Sequence, residues 1–476
     1  MIEKGALMKC WQRKGLVLSP QGLSAIGLSI TLKEAYQRYL RIAGPAVLQG
    51  LLLQLALLVD LIMVGSLGVT AVAAVGVFEQ AEMLILLMAR SLAVPIIAMV
   101  SRRYGEDRLD AVEAILKQGL VLTVLLYTPL LVLAYIELPS LIYLAGGGPD
   151  LLPQAIPYAS WLVPGLFFSV CTQTIGAAFI GMGYTKELFK SYVVGNIVNV
   201  FGNAFCIYGW FGLPRLGIAG IGIATMAGYF ITLSLLLYKL SHKPKRHFLL
   251  TLQGKQGWCL QKETLHTIKH IGGPALGEQG CERFGMFVYT RLVAELGVVA
   301  LAVHYICMNL CDVYYLVANG LSQASSAKTG KWLGRHQSKI AVFFGHIGIQ
   351  LALGLSLVGL LVYGLLGKEL MELFSKNVDV VTLGSHIMLI LAIASFPQAL
   401  QAVYAGVLRG AGDTYYVMKY TLLSVALLRP LVTYGLCFAC GLGLHGAWLA
   451  LLLDQTIRMI CARYRVKGRK WAEQVV

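Results

Sequence analysis

Residues 44–74, GPAVLQGLLLQLALLVDLIMVGSLGVTAVAA, constrain the fold more than any other stretch of the chain. From Gly44 to Gly65 the run is apolar except for Gln49, Gln54 and the carboxylate of Asp60. A run of about 20 apolar residues spans the hydrocarbon core of a bilayer. An acid inside such a run costs roughly 2.5–3.5 kcal/mol on insertion scales, so it marks a functional candidate. The stretch has a double: residues 273–303 read GPALGEQGCERFGMFVYTRLVAELGVVALAV and align with it without a gap at an offset of 229 residues. Pro45 answers Pro274, Gly68 answers Gly297, and LGVTAVAA answers LGVVALAV. The same 229-residue offset pairs Gly105 with Gly334, Gly181 with Gly410, Gly183 with Gly412, Thr185 with Thr414 and Lys190 with Lys419. LGIAG at 216–220 answers LGLHG at 442–446 with the offset shortened by three. The chain carries one unit twice.

A length of 476 residues would allow about three soluble domains. With 57% hydrophobic and 13% charged residues and a mean hydropathy of +0.71, it reads instead as a polytopic membrane protein. Twelve apolar segments follow a basic lead-in: 42–65, 72–100, 115–136, 155–181, 190–211, 218–240, 271–294, 298–326, 340–366, 380–408, 419–438 and 443–462. The expected fold is therefore an all-α polytopic membrane protein of twelve transmembrane helices in two six-helix repeats. Its parts are a lead-in (1–41), an N-lobe (42–240), a linker (241–270), a C-lobe (271–462) and a tail (463–476). Six helices return the chain to its starting side, so the repeats are parallel and related by an axis along the membrane normal. That is a transporter architecture, with the substrate held between the repeats.

The formal net charge of +16 does not indicate nucleic acid, because the basic residues sit in short loops between apolar segments rather than on one basic domain. Of the 39 Lys and Arg, only Arg215, Lys368 and Lys376 fall on the side opposite the termini. Arg90, Arg283, Arg291 and Arg429 lie within segments, and the remainder are on the terminal side. The positive-inside rule then puts both termini in the cytoplasm. The ten cysteines are scattered, mostly in apolar runs, and Cys437 with Cys440 reads as packing rather than a metal or redox pair. Residues 15–31 are too broken by Gly, Ser and Pro for a cleaved signal. His266 and His270, at helical spacing, read as a solvated face.

The chain resembles the multidrug and toxic compound extrusion (MATE) transporters. The resemblance covers nearly the whole chain. It is carried by the Pro45-to-Asp60 spacing with VGSLG, by GNIVNVFGNAFCIYG at 195–209, LGIAGIGIAT at 216–225, GVVALAVHYICMN at 297–309 and VLRGAGDT at 407–414. It implies export of organic, often cationic compounds by alternating access of two six-helix bundles, coupled to inward Na⁺ or H⁺. A monomer in the cell membrane, with the lipid bilayer and small organic substrates as its partners, is expected. No cofactor is called for beyond the coupling ion. The absence of a GxxxxGK[ST] loop agrees with energy drawn from an ion gradient.

Within this resemblance Asp60 stands where the family keeps an ion-coupling acid; the alternative is a helix-end residue hydrogen-bonded near the extracellular interface. Pro45 stands where the family bends its first helix, since proline removes a backbone bond. Asn196, Asn199 and Asn203 share one helix face and can offer amide oxygens to Asp60 or a cation, or simply bond between helices. Asn203 replaces an acid that many members carry. Glu278 and Glu282 share a face one turn apart, and Glu282 matches an acid of one branch of the family. Pairing with Arg283, Arg291 or a residue of another helix such as Arg429 is the alternative. Gln398 occupies a position that is acidic in that branch. Asp60 maps onto Tyr289 and Glu282 onto Leu53, so the charges have lost the symmetry of the repeat. The expected division is ion coupling by Asp60 aided by Asn199, with Glu282 neutralising a cationic substrate. Glu79, Glu82, Arg90, Asp312 and Asp454 are assigned no chemistry.

A flippase of lipid-linked oligosaccharide precursors is the alternative kept open, supported by the four embedded arginines. A facilitator-type transporter fits less well, because SRRYGEDR has its glycine and acid in the wrong order for that loop signature. No HExxH or GxSxG motif supports a membrane enzyme.

Overall fold

A computed structural model describes residues 30–209, 215–241, 251–252 and 257–474. Most of the lead-in and of the 15–31 stretch lies outside the described residues, as does much of 242–256. Six long helices build the N-lobe: α1 (Leu32–Gly65), α2 (Val69–Gly105), α3 (Leu109–Ile136), α4 (Leu152–Met182), α5 (Thr185–Tyr208) and α6 (Gly217–Ser241). Six more build the C-lobe: α7 (Lys262–Ala294), α8 (Val298–Gly334), α9 (Ser338–Leu365), α10 (Val378–Gly410), α11 (Thr414–Ala439) and α12 (Gly443–Lys467).

Among the described residues, nine of these helices are long and apolar enough by composition to cross a membrane; α5, α7 and α12 are not among the nine. These three are diluted by polar groups that turn inward, such as Asn203 on α5, Glu278 on α7 and Asp454 on α12, all buried. Their hydropathy is low because they carry the bonded interior of the lobes.

The repeat extends to single residues. Helices α2 and α8 begin and end 229 residues apart, and so do α3 and α9. A short helix follows each of the latter pair, Leu138–Leu144 in one lobe and Gly367–Phe374 in the other. Gly68 and Gly297 cap α2 and α8 with φ of 108° and 102°, a region that glycine enters freely. Asp107 and His336 are both left-handed, at φ 57° and 56°, in the turns that follow those helices.

Pro45 lies inside α1, and its missing N–H frees the carbonyl of Arg41. The Thr185 hydroxyl at the start of α5 covers that end, 2.9 Å from the Ile42 carbonyl and 3.4 Å from that of Arg41. The C-lobe repeats the device around Pro274, with Thr414 Oγ1 donating to the Ile271 carbonyl at 2.8 Å. The conserved spacing of proline and threonine across the two halves therefore has a hydrogen-bonding reason.

The lobes join on the side of the chain termini. Tyr39 of α1 donates to the Leu321 carbonyl at 2.7 Å and meets Ser325 Oγ at 2.6 Å. Gly320 admits the Val47 backbone, and Gly330 admits Ser101. A Cβ on Gly105 would overlap the Lys331 carbonyl, and one on Gly334 would overlap the carbonyl of Arg102. These two contacts are reciprocal under the 229 offset, so the pseudo-twofold axis passes between the ends of α2 and α8. At 37 residues each, these helices are about 55 Å long, well beyond the ~30 Å hydrocarbon layer. The seam they form lies outside the apolar runs.

Candidate ion and substrate sites

Asp60, half-buried near the far end of α1, faces α5, where Asn203 Nδ2 donates to its Oδ1 at 2.7 Å. Asn203 is fully buried, and its own Oδ1 has no hydrogen-bond partner among the described residues. Asn199, one turn away, donates to Thr225 Oγ1 of α6 at 3.0 Å. Asn196 bonds back to the Tyr192 carbonyl of its own helix. The asparagine face is thus shared out: one side chain to Asp60, one to α6, one to its own backbone.

Two residues to which the sequence assigned no role join this cluster. Glu79 of α2 is within Coulombic range of Asp60, and Glu82, one turn on, is in range of Glu79 and Arg90. Tyr229 of α6 reaches Glu82 Oε1 at 3.5 Å. The only sequence signal for Glu79 and Glu82 was their i, i+3 spacing within an apolar run. Three carboxylates and one arginine leave this part of the N-lobe acidic when the acids are ionised.

The C-lobe is arranged differently. Glu278 pairs with Arg409 of α10, and Glu282 pairs with Arg458 of α12 at 2.7 Å. Asp454 pairs with Arg429 of α11, both side chains nearly fully buried. The partners expected from sequence for the two glutamates were Arg283, Arg291 or a residue of another helix such as Arg429, and they are residues of other helices. The partners found, Arg409 and Arg458, had been counted as loop cations at helix ends. Arg409 lies in the last turn of α10, which ends at Gly410, and Arg458 more than two turns inside α12, which runs to Lys467; both side chains turn into the lobe. Arg429 also lies 5.7 Å over the Tyr289 ring. Gln398 is buried against Cys311, its Nε2 3.4 Å from the Sγ, apart from these ion pairs.

Arg291 pairs at 4.0 Å with Glu295 on the surface. Arg283 is exposed; its Nη1 lies 3.7 Å from Met83 Sδ of the N-lobe, and Asp312 is within its Coulombic range. Cys437 is a buried free thiol and Cys440 an exposed one. His266 and His270 stack at 6.3 Å on an exposed face.

Two parallel six-helix units with polar side chains in their interiors, joined by a seam at one end, define a polytopic membrane transporter rather than an enzyme. The chain matches the MatE family over residues 45–205 and 274–435, one match in each repeat, and belongs to that family of multidrug efflux transporters. It is 26% identical to a probable multidrug resistance protein NorM from Shewanella oneidensis, over 88% of this chain and 92% of that one. It is 27% identical to the multidrug resistance protein MdtK of Yersinia pestis, over 86% of this chain and 90% of the relative. Its fold matches the Vibrio cholerae MATE transporter VcmN with a TM-score of 0.84, at 18% identity, covering 93% of this chain and 99% of the other. An outward-facing multidrug resistance MATE family transporter matches with the same TM-score, 0.84, at 20% identity over 92% of this chain and 97% of that one.

Proposed function

We propose that the chain is a secondary active antiporter that exports organic, often cationic compounds in exchange for Na⁺ or H⁺. One observation carries this reading. The N-lobe acids Asp60, Glu79 and Glu82 have a single arginine near them, whereas Glu278, Glu282 and Asp454 of the C-lobe each hold an arginine of their own. A carboxylate without a fixed countercharge in a low-dielectric setting needs a cation, and a passing ion supplies one. Asp60 would bind the coupling cation, with Asn203 orienting its carboxylate and Asn199 tying α5 to α6 behind it.

The lobes would rock about the terminal-side seam, exposing the space between them to each side in turn. With both termini cytoplasmic, the arrangement joined at that seam opens outward. The pairing of Glu282 with Arg458 leaves less field for a cationic substrate than a free carboxylate would. Substrate charge is therefore better met by the N-lobe acids or by Asp312, and Glu282 acts first as a tie between α7 and α12. Of the arginines that kept a flippase in view, Arg429 is neutralised by Asp454, and the named relatives are multidrug resistance proteins, so that reading is not favoured.

The test is export of a cationic dye from proteoliposomes with Na⁺ and H⁺ gradients imposed separately. Accumulation driven by one gradient and abolished by its collapse supports the antiporter. Dye movement indifferent to both gradients would sink it.

A further inference from the structure

On the terminal side, where α1 meets α8, a cavity of about 300 Å³ opens between the lobes. Arg38 and Arg41 of α1 and Lys328 and Lys331 of α8 line it, over a floor that includes Ile42 and Met182. Lys331, Arg38 and Arg41 all lie within Coulombic range of Lys328. None of the four cations forms an ion pair among the described residues. The nearest acid to act on Lys331 is Asp107, which is itself engaged by Arg335 at 3.4 Å. What the two lysines do touch is aromatic: Lys328 Nζ lies 4.9 Å over Phe344, and Lys331 Nζ lies 4.3 Å over Tyr104. These rings position the ammonium groups without neutralising them. At the cavity wall the end of α4 is closed by its own turn, with the Gly183 and Tyr184 N–H groups bonded to the carbonyls of Ile180 and Phe179.

The repeat supplies an internal control. Under the 229 offset, Arg38, Arg41, Lys328 and Lys331 correspond to Thr267, His270, Met99 and Arg102. The symmetry-related seam therefore holds one arginine, and that arginine is bonded at 2.7 Å to the Gln474 carbonyl. Fold geometry cannot demand four cations at one seam when its copy does without them. Four like charges crowded into a partly closed cavity repel one another, and Lys328 and Lys331 are also partly withdrawn from water without a countercharge. A multivalent anion relieves that repulsion and supplies the missing countercharge, and lysine and arginine together are the usual phosphate binders.

We propose that this cavity binds a phosphate group, carried either by an anionic phospholipid headgroup or by a soluble phosphate. Because α1 supplies one pair of cations and α8 the other, the bound anion bridges the two lobes and holds the terminal-side seam together. The cytoplasmic leaflet, to which the charge distribution assigns this face, is rich in such headgroups.

The experiment is thermal unfolding of the full chain in neutral detergent, titrated in one arm with phosphatidylglycerol and in the other with inorganic pyrophosphate. The variants are Arg38→Gln/Arg41→Gln, at exposed positions whose loss leaves the core intact, and Lys328→Gln/Lys331→Gln. Arg291→Gln, on the far side of the molecule, is the control. Wild type and control should be stabilised in at least one arm, with half-saturation at a concentration about tenfold or more below that of either double variant. Stabilisation by phosphatidylglycerol alone assigns the lipid as source; stabilisation by pyrophosphate alone assigns the soluble anion. No stabilisation in either arm, or an identical response of wild type and Arg38→Gln/Arg41→Gln, would overturn the site. These readouts do not depend on transport, so the proposal stands or falls separately from the antiport reading.

Discussion

Asp60→Asn isolates charge from shape. The Asn203 Nδ2 that donates to Asp60 Oδ1 at 2.7 Å can donate equally to the carboxamide oxygen, so the link between α1 and α5 survives. Exchanging a charge-assisted hydrogen bond for a neutral one costs about 1 kcal/mol. Relief of holding a half-buried carboxylate beside Glu79 in an apolar helix offsets a similar amount. Folding and insertion should therefore change by no more than about 1 kcal/mol. Coupling is another matter. A gradient of about tenfold in the driving cation is worth about 1.4 kcal/mol, which at one cation per substrate sustains at most about tenfold accumulation of dye. Without a titratable or cation-binding group at this position that link is broken, and the steady-state dye ratio should fall to about one. The assay is dye accumulation in inverted vesicles under the gradient that drives wild type, with protein amount and thermal midpoint measured alongside. Near wild-type accumulation by Asp60→Asn at unchanged expression would refute the assignment and move the coupling role to Glu79 or Glu82.

Other outcomes follow from the packing. Asp454→Asn strands the buried Arg429 and should cost about 3–5 kcal/mol in unfolding, whereas Arg429→Leu/Asp454→Leu should recover most of that loss; equal midpoints for the single variant and wild type would show that the pair is not structural. Gly334→Ala places a Cβ against the Arg102 backbone, which cannot yield as a flexible side chain could, and should lower the thermal midpoint by an equivalent of about 1–3 kcal/mol. An unchanged midpoint would mean the seam is looser than its geometry. A tag inserted after Gly148, where there is open space, should be labelled only from outside the cell, and a C-terminal tag only from the cytoplasm; the reverse pattern would overturn the orientation drawn from Lys and Arg.

The twelve helices and their twofold repetition were legible because burial in lipid imposes a long apolar period, and because two copies of one unit keep their glycines and prolines at one spacing. The match of α2 with α8 and of α3 with α9, end for end, follows from that repetition. Less legible were the helix ends. Hydropathy stops where the hydrocarbon stops, yet α2 runs on through Arg102 and Arg103 to Gly105, because hydrogen bonding within a helix does not need an apolar surface. The short helices Leu138–Leu144 and Gly367–Phe374 and the π-helical stretches flanking Arg429–Tyr434 in α11 also escaped a reading based on apolar length.

The sequence by itself determined which acids could carry charge inside the membrane: Asp60, Glu79, Glu82, Glu278, Glu282, Asp312 and Asp454 all interrupt apolar runs. Only the tertiary structure decided which of them keep that charge uncompensated. Glu278 and Glu282 look as reactive as Asp60 in one dimension. Their arginines, Arg409 and Arg458, come from helices more than 130 residues away, on α10 and α12. No local spacing rule reaches that far, since such pairing depends on the rotation and register of helices that touch only after folding. The same physics gathers Arg38, Arg41, Lys328 and Lys331 at one seam: each is an ordinary helix-end cation in sequence, and they become a site only when α1 packs against α8.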